Sequence, residues 1–342
     1  MKAARIVEYD KPLVIEDIPT PQPGPGQVLV RIKGAGFCHS DLHVISGELP
    51  ILPQMPMTLG HENAGIVAET GDGVTAVQPG DPVAVFGGWG CGYCDLCVTG
   101  LEQMCSTPQW AGLSQWDGGY AEYLLVPHER YLVKLNELDP EDAAPLTDAA
   151  LTPYRAIKRA LPFIEPDYPV LVIGAGGLGQ YGIKLLRLLT GSKIIVVDIA
   201  EDKLQIAKEY GADFVVDGRD PEARERVVGH AQGIGVSAAF DFVGADTTLD
   251  LALHSTRPEG KVTQIGLAGG EVRFKLFADM PFEVTVEGTL WGTIKELREV
   301  IALAESGMLT PIELEFAPLE AINEVSEALK LGKIHGRAVI TP

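Results

Sequence analysis

Four of the five cysteines in this 342-residue chain fall in one short run, Cys91-Gly-Tyr-Cys94-Asp-Leu-Cys97-Val-Thr-Gly-Leu-Glu-Gln-Met-Cys105, with the spacing C-x2-C-x2-C-x7-C. Turns this short gather four thiolates around one ion, and a closed set of soft thiolates suits zinc. Disulfides are disfavoured, because adjacent x2 spacings make strained pairs and a reducing compartment opposes them. An iron–sulfur cluster also opens on C-x2-C-x2-C, but that pattern wants a Cys-Pro after a shorter gap. A closed four-ligand site leaves no position for a reactant. The knot is therefore read as structural, and the chemistry is sought elsewhere.

Three other segments carry potential ligands: Gly36-Phe-Cys38-His39-Ser40-Asp41-Leu-His43, Gly60-His61-Glu62 and Pro145-Leu-Thr-Asp148. One Cys, one His and one Asp would make an open zinc site with a fourth position for water or substrate. Ligands so far apart carry no spacing information. A lone Cys is more often a small buried hydrophobe, and a lone His is often hydrogen-bonded core. The residues by themselves leave both readings open.

A second device lies downstream. Pro169-Val-Leu-Val-Ile-Gly-Ala-Gly-Gly-Leu-Gly179 runs an apolar strand into a glycine turn, followed by a helical pattern from Gln180 to Leu189. Gly174, Gly176 and Gly179 stand in G-x-G-x-x-G order: the first for the tight turn, the second for close approach of a pyrophosphate, the third for helix-to-strand packing. A further strand, Lys193-Ile-Ile-Val-Val-Asp198, ends in an acid where a carboxylate accepts hydrogen bonds from an adenosine ribose. Strand, glycines, helix and acid together point to a dinucleotide.

The elements that must position these residues fall into two kinds. After Asp198 the alternation continues through a helix at Glu201 to Tyr210, Phe214-Val-Val, a helix near 221 to 231, and strands at Ala238 to Val243 and Lys261 to Gly266, which is the pattern of a doubly wound parallel sheet. The first 150 residues instead hold short strand-like runs, such as Val28-Leu-Val-Arg-Ile and Ala121-Glu-Tyr-Leu-Leu-Val, divided by Pro-Gly turns. That reads as a mostly antiparallel β domain, packed closely enough on the second to form a cleft.

Composition bounds the partners. Hydrophobic residues make up 46% of the chain and charged residues 22%, an ordinary globular balance. The formal charge of -20 argues against nucleic acid or an anionic membrane surface, both of which are bound by a basic face. From Gly34 to Glu129 there is no Lys or Arg, a stretch suited to a cation, although a solvated acidic surface accounts for most of these carboxylates. Charges interrupt the N-terminal segment MKAARIVEYDKPLVIEDIP, so it offers no signal-like apolar core, and a cytoplasmic protein is expected.

The motifs CHSD at 38 to 41, GHE at 60 to 62, the four-cysteine lobe, APLTDA at 144 to 149 and GAGGLG at 174 to 179 resemble, along essentially the whole chain, the zinc-dependent alcohol dehydrogenases of the medium-chain dehydrogenase/reductase superfamily. The resemblance implies an α/β architecture: a GroES-like β catalytic domain over 1–150, a Rossmann NAD-binding domain over 151–287, and a segment 288–342 that completes the first. It implies two zinc ions per chain. Cys38, His61 and Asp148 would hold the catalytic one, with Asp148 where many relatives have Cys, and Cys91, Cys94, Cys97 and Cys105 the structural one. Glu62 would be a neighbouring or transiently coordinating carboxylate, and Asp41 would orient His61.

NAD is the implied cofactor, with Gly174, Gly176, Gly177, Leu178, Gly179, Asp198, Lys203, Val243 and Ile265 in contact with it, and His39 and Arg337 near its pyrophosphate. His39 and Arg337 could equally be surface residues. Zinc as a Lewis acid would lower the pKa of a bound alcohol or polarise a carbonyl. Ser40 would head a proton relay through the nicotinamide ribose to His43, although Ser40 could instead cap a helix and His43 lie on its exposed face. Trp291 is the candidate wall of an apolar substrate pocket, taken from Trp89, Trp110, Trp116, Leu290 and Trp291, although an aromatic is more often plain core. The expected reaction is oxidation of small neutral alcohols and the reverse carbonyl reduction, by a homotetramer or a homodimer. The competing readings are a polyol or aromatic-alcohol dehydrogenase and a non-catalytic zinc- and NAD-binding relative. The four-cysteine lobe and Cys38 argue against the zinc-independent quinone reductases.

Overall fold

A computed structural model of the chain describes residues 1–271, 273, 275 and 280–342. The chain forms two compact units, Met1–Leu151 with Trp291–Pro342, and Thr152–Leu290.

The first unit is built on antiparallel sheets. Its larger sheet runs in the order Leu314–Pro318, Arg337–Thr341, Val28–Phe37, Glu62–Thr70, Pro82–Val85, Leu132–Lys134, with Tyr123–Val126 also pairing with Val28–Phe37. The first two of these strands are parallel to each other; the remaining pairs are antiparallel. A three-stranded sheet of Val14–Asp17, Lys2–Ile6 and Met57–Thr58 lies beside it in sequence. Strand Val28–Phe37 is central and almost wholly buried, and it delivers the chain directly into helix His39–Ser46. Strands Val28–Phe37 and Glu62–Thr70 pair with Gly36 opposite Glu62. A Cβ on Gly36 would lie 1.9 Å from Glu62 Oε2, so glycine there is what lets the Glu62 carboxylate sit on the sheet.

The second unit is a six-stranded, all-parallel sheet in the order Phe214–Asp217, Ile194–Asp198, Val170–Ile173, Val236–Asp241, Thr256–Gln264, Thr285–Gly288. Numbered along the chain this is 3-2-1-4-5-6, the doubly wound dinucleotide-binding order. Its two central strands, Val170–Ile173 and Val236–Asp241, are buried at every position. That explains their continuous apolar runs: helices on both faces leave no solvated side to require alternation. Leu171, Ile173, Ile195, Val197, Ala239 and Val262 form the middle of this core. The fold class expected from the sequence is the one found. The sixth strand, Thr285-Val-Glu-Gly288, was not among the strands read from the sequence, being four residues of alternating, half-exposed side chains at the sheet edge.

Candidate functional site

Cys38, His61, Glu62 and Asp148 come together in the first unit, all buried, with their ligand atoms within 4.8 Å of one another. Cys38 follows the central strand and is the N-cap of helix His39–Ser46; His61 precedes the neighbouring strand and Glu62 opens it; Asp148 follows the short turn of helix Ala144–Thr147. Cys38 Sγ is 4.0 Å from Asp148 Oδ2, and His61 Nε2 is 3.7 Å from the same oxygen. A soft thiolate, an imidazole and a carboxylate converging on one point form a zinc-type donor set.

Asp41 organises the set from beneath. It is fully buried; its Oδ2 accepts from the Cys38 backbone N–H at 2.9 Å and from the Tyr120 hydroxyl at 2.7 Å. Its Oδ1 lies 3.4 Å from His61 Nδ1, and neither of those two atoms has another protein hydrogen-bond partner. His61 thus turns Nδ1 towards the Asp41 carboxylate and Nε2 towards Asp148 and Ser40.

The sequence reading missed Tyr120. Its ring stacks on Phe37 at 5.4 Å, and a Cβ on Gly60 would meet it at 2.8 Å, so it packs beside the residues preceding both Cys38 and His61. The preceding pair Gly118-Gly119 was the available signal of crowding: a Cβ on Gly119 would fall 1.7 Å from Asn63 Oδ1.

Buried groups of both charge signs meet here. Burial opposes charge on His61, yet the Asp41 carboxylate and hydrogen bonds to Asp148 and Asp41 raise its pKa well above the usual range. Burial also pushes the Cys38 thiol up, but Arg337 and His61 prevail and lower it. Arg337 is buried; its Nε donates to Glu62 Oε2 at 3.0 Å and its Nη2 to Glu62 Oε1. The two partners shift in a way that disagrees: burial, Asp148 and Cys38 push Glu62 up despite the pull of Arg337, while burial pulls Arg337 down but Cys38 first, then Glu62 and Asp148, carry it well above its ordinary value. The bidentate geometry decides for the ion pair, since a protonated carboxyl cannot accept both N–H groups of the fork equally well. Arg337, expected near a pyrophosphate, here holds Glu62.

Ser40 does not cap the helix; Cys38 is the N-cap, and Ser40 Oγ lies 3.4 Å from His61 Nε2. His43 sits one turn further on, half-buried, with Nδ1 2.7 Å from Glu48 Oε2. His39 is exposed at the first helical position. Trp291 is 4% exposed with a left-handed backbone at φ 52°; its Nε1 donates to Thr147 O at 3.0 Å, and its ring meets that of His61 edge-on at 5.6 Å. Such a φ is uncommon for a bulky residue and clusters at functional positions. Trp110 packs against Trp291, whereas Trp89 and Trp116 pack against each other.

Cys91, Cys94, Cys97 and Cys105 also lie with their sulfurs within 4.8 Å of one another. Cys91 and Cys97 are 3.9 Å apart and Cys94 and Cys105 3.8 Å, far beyond a disulfide bond. Tetrahedral zinc with Zn–S of about 2.3 Å requires S···S edges of about 3.8 Å. Burial raises the Cys105 thiol, but N–H groups of Cys91 and Thr107 overcome it and lower it to about 6. A thiolate is the form a metal binds.

In the second unit the three glycines of the turn differ in their surroundings. Gly174 has φ 88°, and a Cβ on Gly179 would lie 1.9 Å from Gly174 O. A Cβ on Gly176 would meet nothing within 4 Å, leaving open space at the N-cap of helix Gly177–Leu189, the place an anion takes at a helix N-terminus. Gly177 and Leu178 form its first turn. Asp198 Oδ2 accepts from Ala175 N at 2.6 Å and Oδ1 from Ala200 N at 2.9 Å, so the carboxylate is fixed beside the glycine turn. Lys203 lies in helix Glu201–Glu209; Val243 and Ile265 follow strands Val236–Asp241 and Thr256–Gln264, tied to Asp241 Oδ1 and Asp241 O.

Residues 24–137 match the family described as Alcohol dehydrogenase GroES-like domain, and residues 177–306 the one described as Zinc-binding dehydrogenase. An NAD-dependent alcohol dehydrogenase of Sulfurisphaera tokodaii is 38% identical over 350 residues, covering 100% of both chains. A D-arabinose 1-dehydrogenase (NADP(+)) of Saccharolobus solfataricus is also 38% identical, over 100% of this chain and 97% of its own. The crystal structure of an alcohol dehydrogenase from the hyperthermophilic archaeon Aeropyrum pernix superposes with a TM-score of 0.92 at 39% identity, covering 100% of both chains.

Proposed function

The chain belongs to the zinc-type alcohol dehydrogenases of the medium-chain dehydrogenase/reductase superfamily, and from that premise we propose how its own residues serve NAD-dependent oxidation of primary or secondary alcohols and the reverse reduction of aldehydes and ketones. The observation that carries the reading is the buried donor set of Cys38, His61, Glu62 and Asp148, mixed in type and within 4.8 Å. Cys38, His61 and Asp148 are the ligands of a catalytic zinc, and the four-cysteine lobe holds a structural one, two ions per chain. When bound, zinc supplies Lewis acidity to the alcohol or carbonyl oxygen and NAD supplies the hydride acceptor.

The remaining work belongs to the chain. Asp41 orients His61 through Nδ1. Arg337 holds Glu62 as a carboxylate beside the ligands. Ser40 Oγ accepts the proton that the alcohol gives up as it releases its own hydroxyl proton into a relay ending at His43, three residues on and on the same helix face, which passes a proton to solvent. Trp291 walls the substrate site and, through its bond to Thr147 O, steadies the residue before Asp148. Gly174 to Gly179 receive the pyrophosphate and Asp198 the ribose hydroxyls, with His39, Lys203, Val243 and Ile265 as further contacts of the cofactor. The protein works in the cytoplasm as a homotetramer, or a homodimer; among the described residues no helix is long and apolar enough to cross a membrane. The edge strand Thr285–Gly288, with Val286 51% exposed, supports a self-association surface.

A panel of alcohols, ketones, polyols and aldoses, followed by NADH absorbance, tests the reading. The expected outcome is turnover with alcohols and ketones that falls about 100-fold to 10,000-fold in Ser40→Ala. In His43→Ala the loss is smaller and greatest below neutral pH. No alcohol- or carbonyl-dependent signal with any member of the panel would overturn it.

A further inference from the structure

Relatives equally similar to this chain differ in the cofactor their names carry, NAD in one and NADP(+) in another, so a few residues rather than the fold make that choice. Asp198 is one such residue. The parallel register supplies a second: Asp198 pairs with Asp217, the last residue of the neighbouring strand, about 4.8 Å away across the sheet. Both acids stand at the carboxyl ends of their strands, where open α/β sheets bind ligands. The turn that follows Asp217 is fastened to Asp198 itself. Gly218 N donates to Asp198 O at 2.9 Å, and a Cβ on Gly218 would already touch Val197 Cγ1 at 3.2 Å and Ile199 Cγ2 at 3.4 Å.

The next residue is Arg219, and it is folded back on Asp217. Its backbone N–H and Nε reach Oδ1 at 2.9 Å each, Nε also lies 3.2 Å from Oδ2, and Nη2 reaches Oδ2 at 2.7 Å. The Arg219 hydrogen bond is the largest cause holding Asp217 down to about 2, so the pair stays ionised through the working range. Glu201, at the start of the helix after Asp198, adds a further negative field on Arg219. A guanidinium beside the ribose acid is the natural partner of a 2′-phosphate. Here it is engaged instead by Asp217, in an exposed ion pair that competes with the phosphate.

We infer that Asp217 is a cofactor-specificity residue: it sequesters the Arg219 guanidinium beside Asp198 and so withholds it from the 2′-phosphate of NADP. The inference rests on the proposed binding of a dinucleotide at Gly174 to Gly179 and Asp198. Removing the Asp217 charge takes one like charge away from a group carrying about two negative charges and releases one opposite charge towards it.

The test is equilibrium binding of NAD and of NADP to the intact protein by calorimetry, without substrate, for the wild type, Asp217→Asn, Asp217→Asn with Arg219→Ala, and Arg219→Glu. In Asp217→Asn the ratio of affinities shifts about tenfold towards NADP, the scale of one unit charge near a surface. The double variant loses that gain, and Arg219→Glu shifts the ratio the other way. An unchanged ratio in Asp217→Asn, or a gain that survives loss of Arg219, overturns the inference while leaving the dinucleotide site standing. A wild type that binds neither nucleotide overturns the site and the inference together.

Discussion

Replacing Tyr120 by Phe removes one oxygen from beneath the donor set and keeps the ring that stacks on Phe37. The hydroxyl donates to Asp41 Oδ2 at 2.7 Å, with Gly36 O 3.1 Å away. Both Tyr120 and Asp41 are fully buried, so water has little access to replace the lost donor. A hydrogen bond to a charged acceptor contributes about 1.5–3 kcal/mol, and a loss near 2 kcal/mol is taken here. For a folded unit of this size each kcal/mol moves Tm by about 2–4 °C, so Tm should fall by about 4–8 °C. The N-cap of helix His39–Ser46 survives, because Asp41 Oδ2 retains the Cys38 N–H at 2.9 Å. What loosens is the carboxylate facing His61 Nδ1. Partners directly behind a metal ligand are worth 10–100-fold in metal affinity or activity, and Tyr120, one step further back, belongs at about tenfold. Calorimetric unfolding, zinc release to a chromogenic chelator and kcat/KM measure the three effects. A Tyr120→Phe protein with wild-type Tm and a zinc-release rate within about twofold of wild type would refute the chain from Tyr120 through Asp41 to His61.

Two further outcomes follow from the second unit. Gly179→Ala forces a Cβ onto Gly174 O and should destabilise the protein by about 3 kcal/mol or more, whereas Gly176→Ala, whose Cβ meets nothing, should fold normally and bind NAD more weakly; equal behaviour of the two in thermal unfolding would contradict the assigned duties. Glu287 is held down to about 2, first by the Arg159 side chain at 2.5 Å and then, against burial, by the buried Lys261 at 3.0 Å. Its folded pKa lies below its ordinary value, so its contribution is complete above about pH 4.5 and is lost as pH falls towards 2. Glu287→Gln should cost about 1–2 kcal/mol at pH 7, discounted because the Arg159 side chain is 47% exposed, and the gap to wild type should narrow below about pH 4.5 and close only below about pH 2 in unfolding titrations.

How far the sequence revealed this arrangement depended on whether the signal was local. The cysteine lobe was legible because its four cysteines share one short loop, and the glycine turn because strand, glycines and helix are contiguous. Val170–Ile173 and Val236–Asp241 announced themselves as continuous apolar runs because a two-sided core demands them. Cys38, His61 and Asp148 carried no such periodicity; three separate elements deliver them, and the resemblance to a family, not spacing, joined them. Tyr120 and the hold of Arg337 on Glu62 stayed hidden because each depends on which strands are neighbours: Gly36 opposite Glu62, and Arg337–Thr341 beside Val28–Phe37. Asp217 and Arg219 look like ordinary surface charges until the parallel register puts Asp217 next to Asp198.

The most direct test of a two-metal dehydrogenase is zinc content per chain measured with alcohol oxidation for the wild type, Cys38→Ala and Cys94→Ala. Two zinc ions and NAD-linked activity are expected in the wild type, one zinc and a folded but inactive protein in Cys38→Ala, and loss of a zinc with lowered thermal stability in Cys94→Ala. A Cys38→Ala protein that keeps both ions and full activity would contradict this assignment.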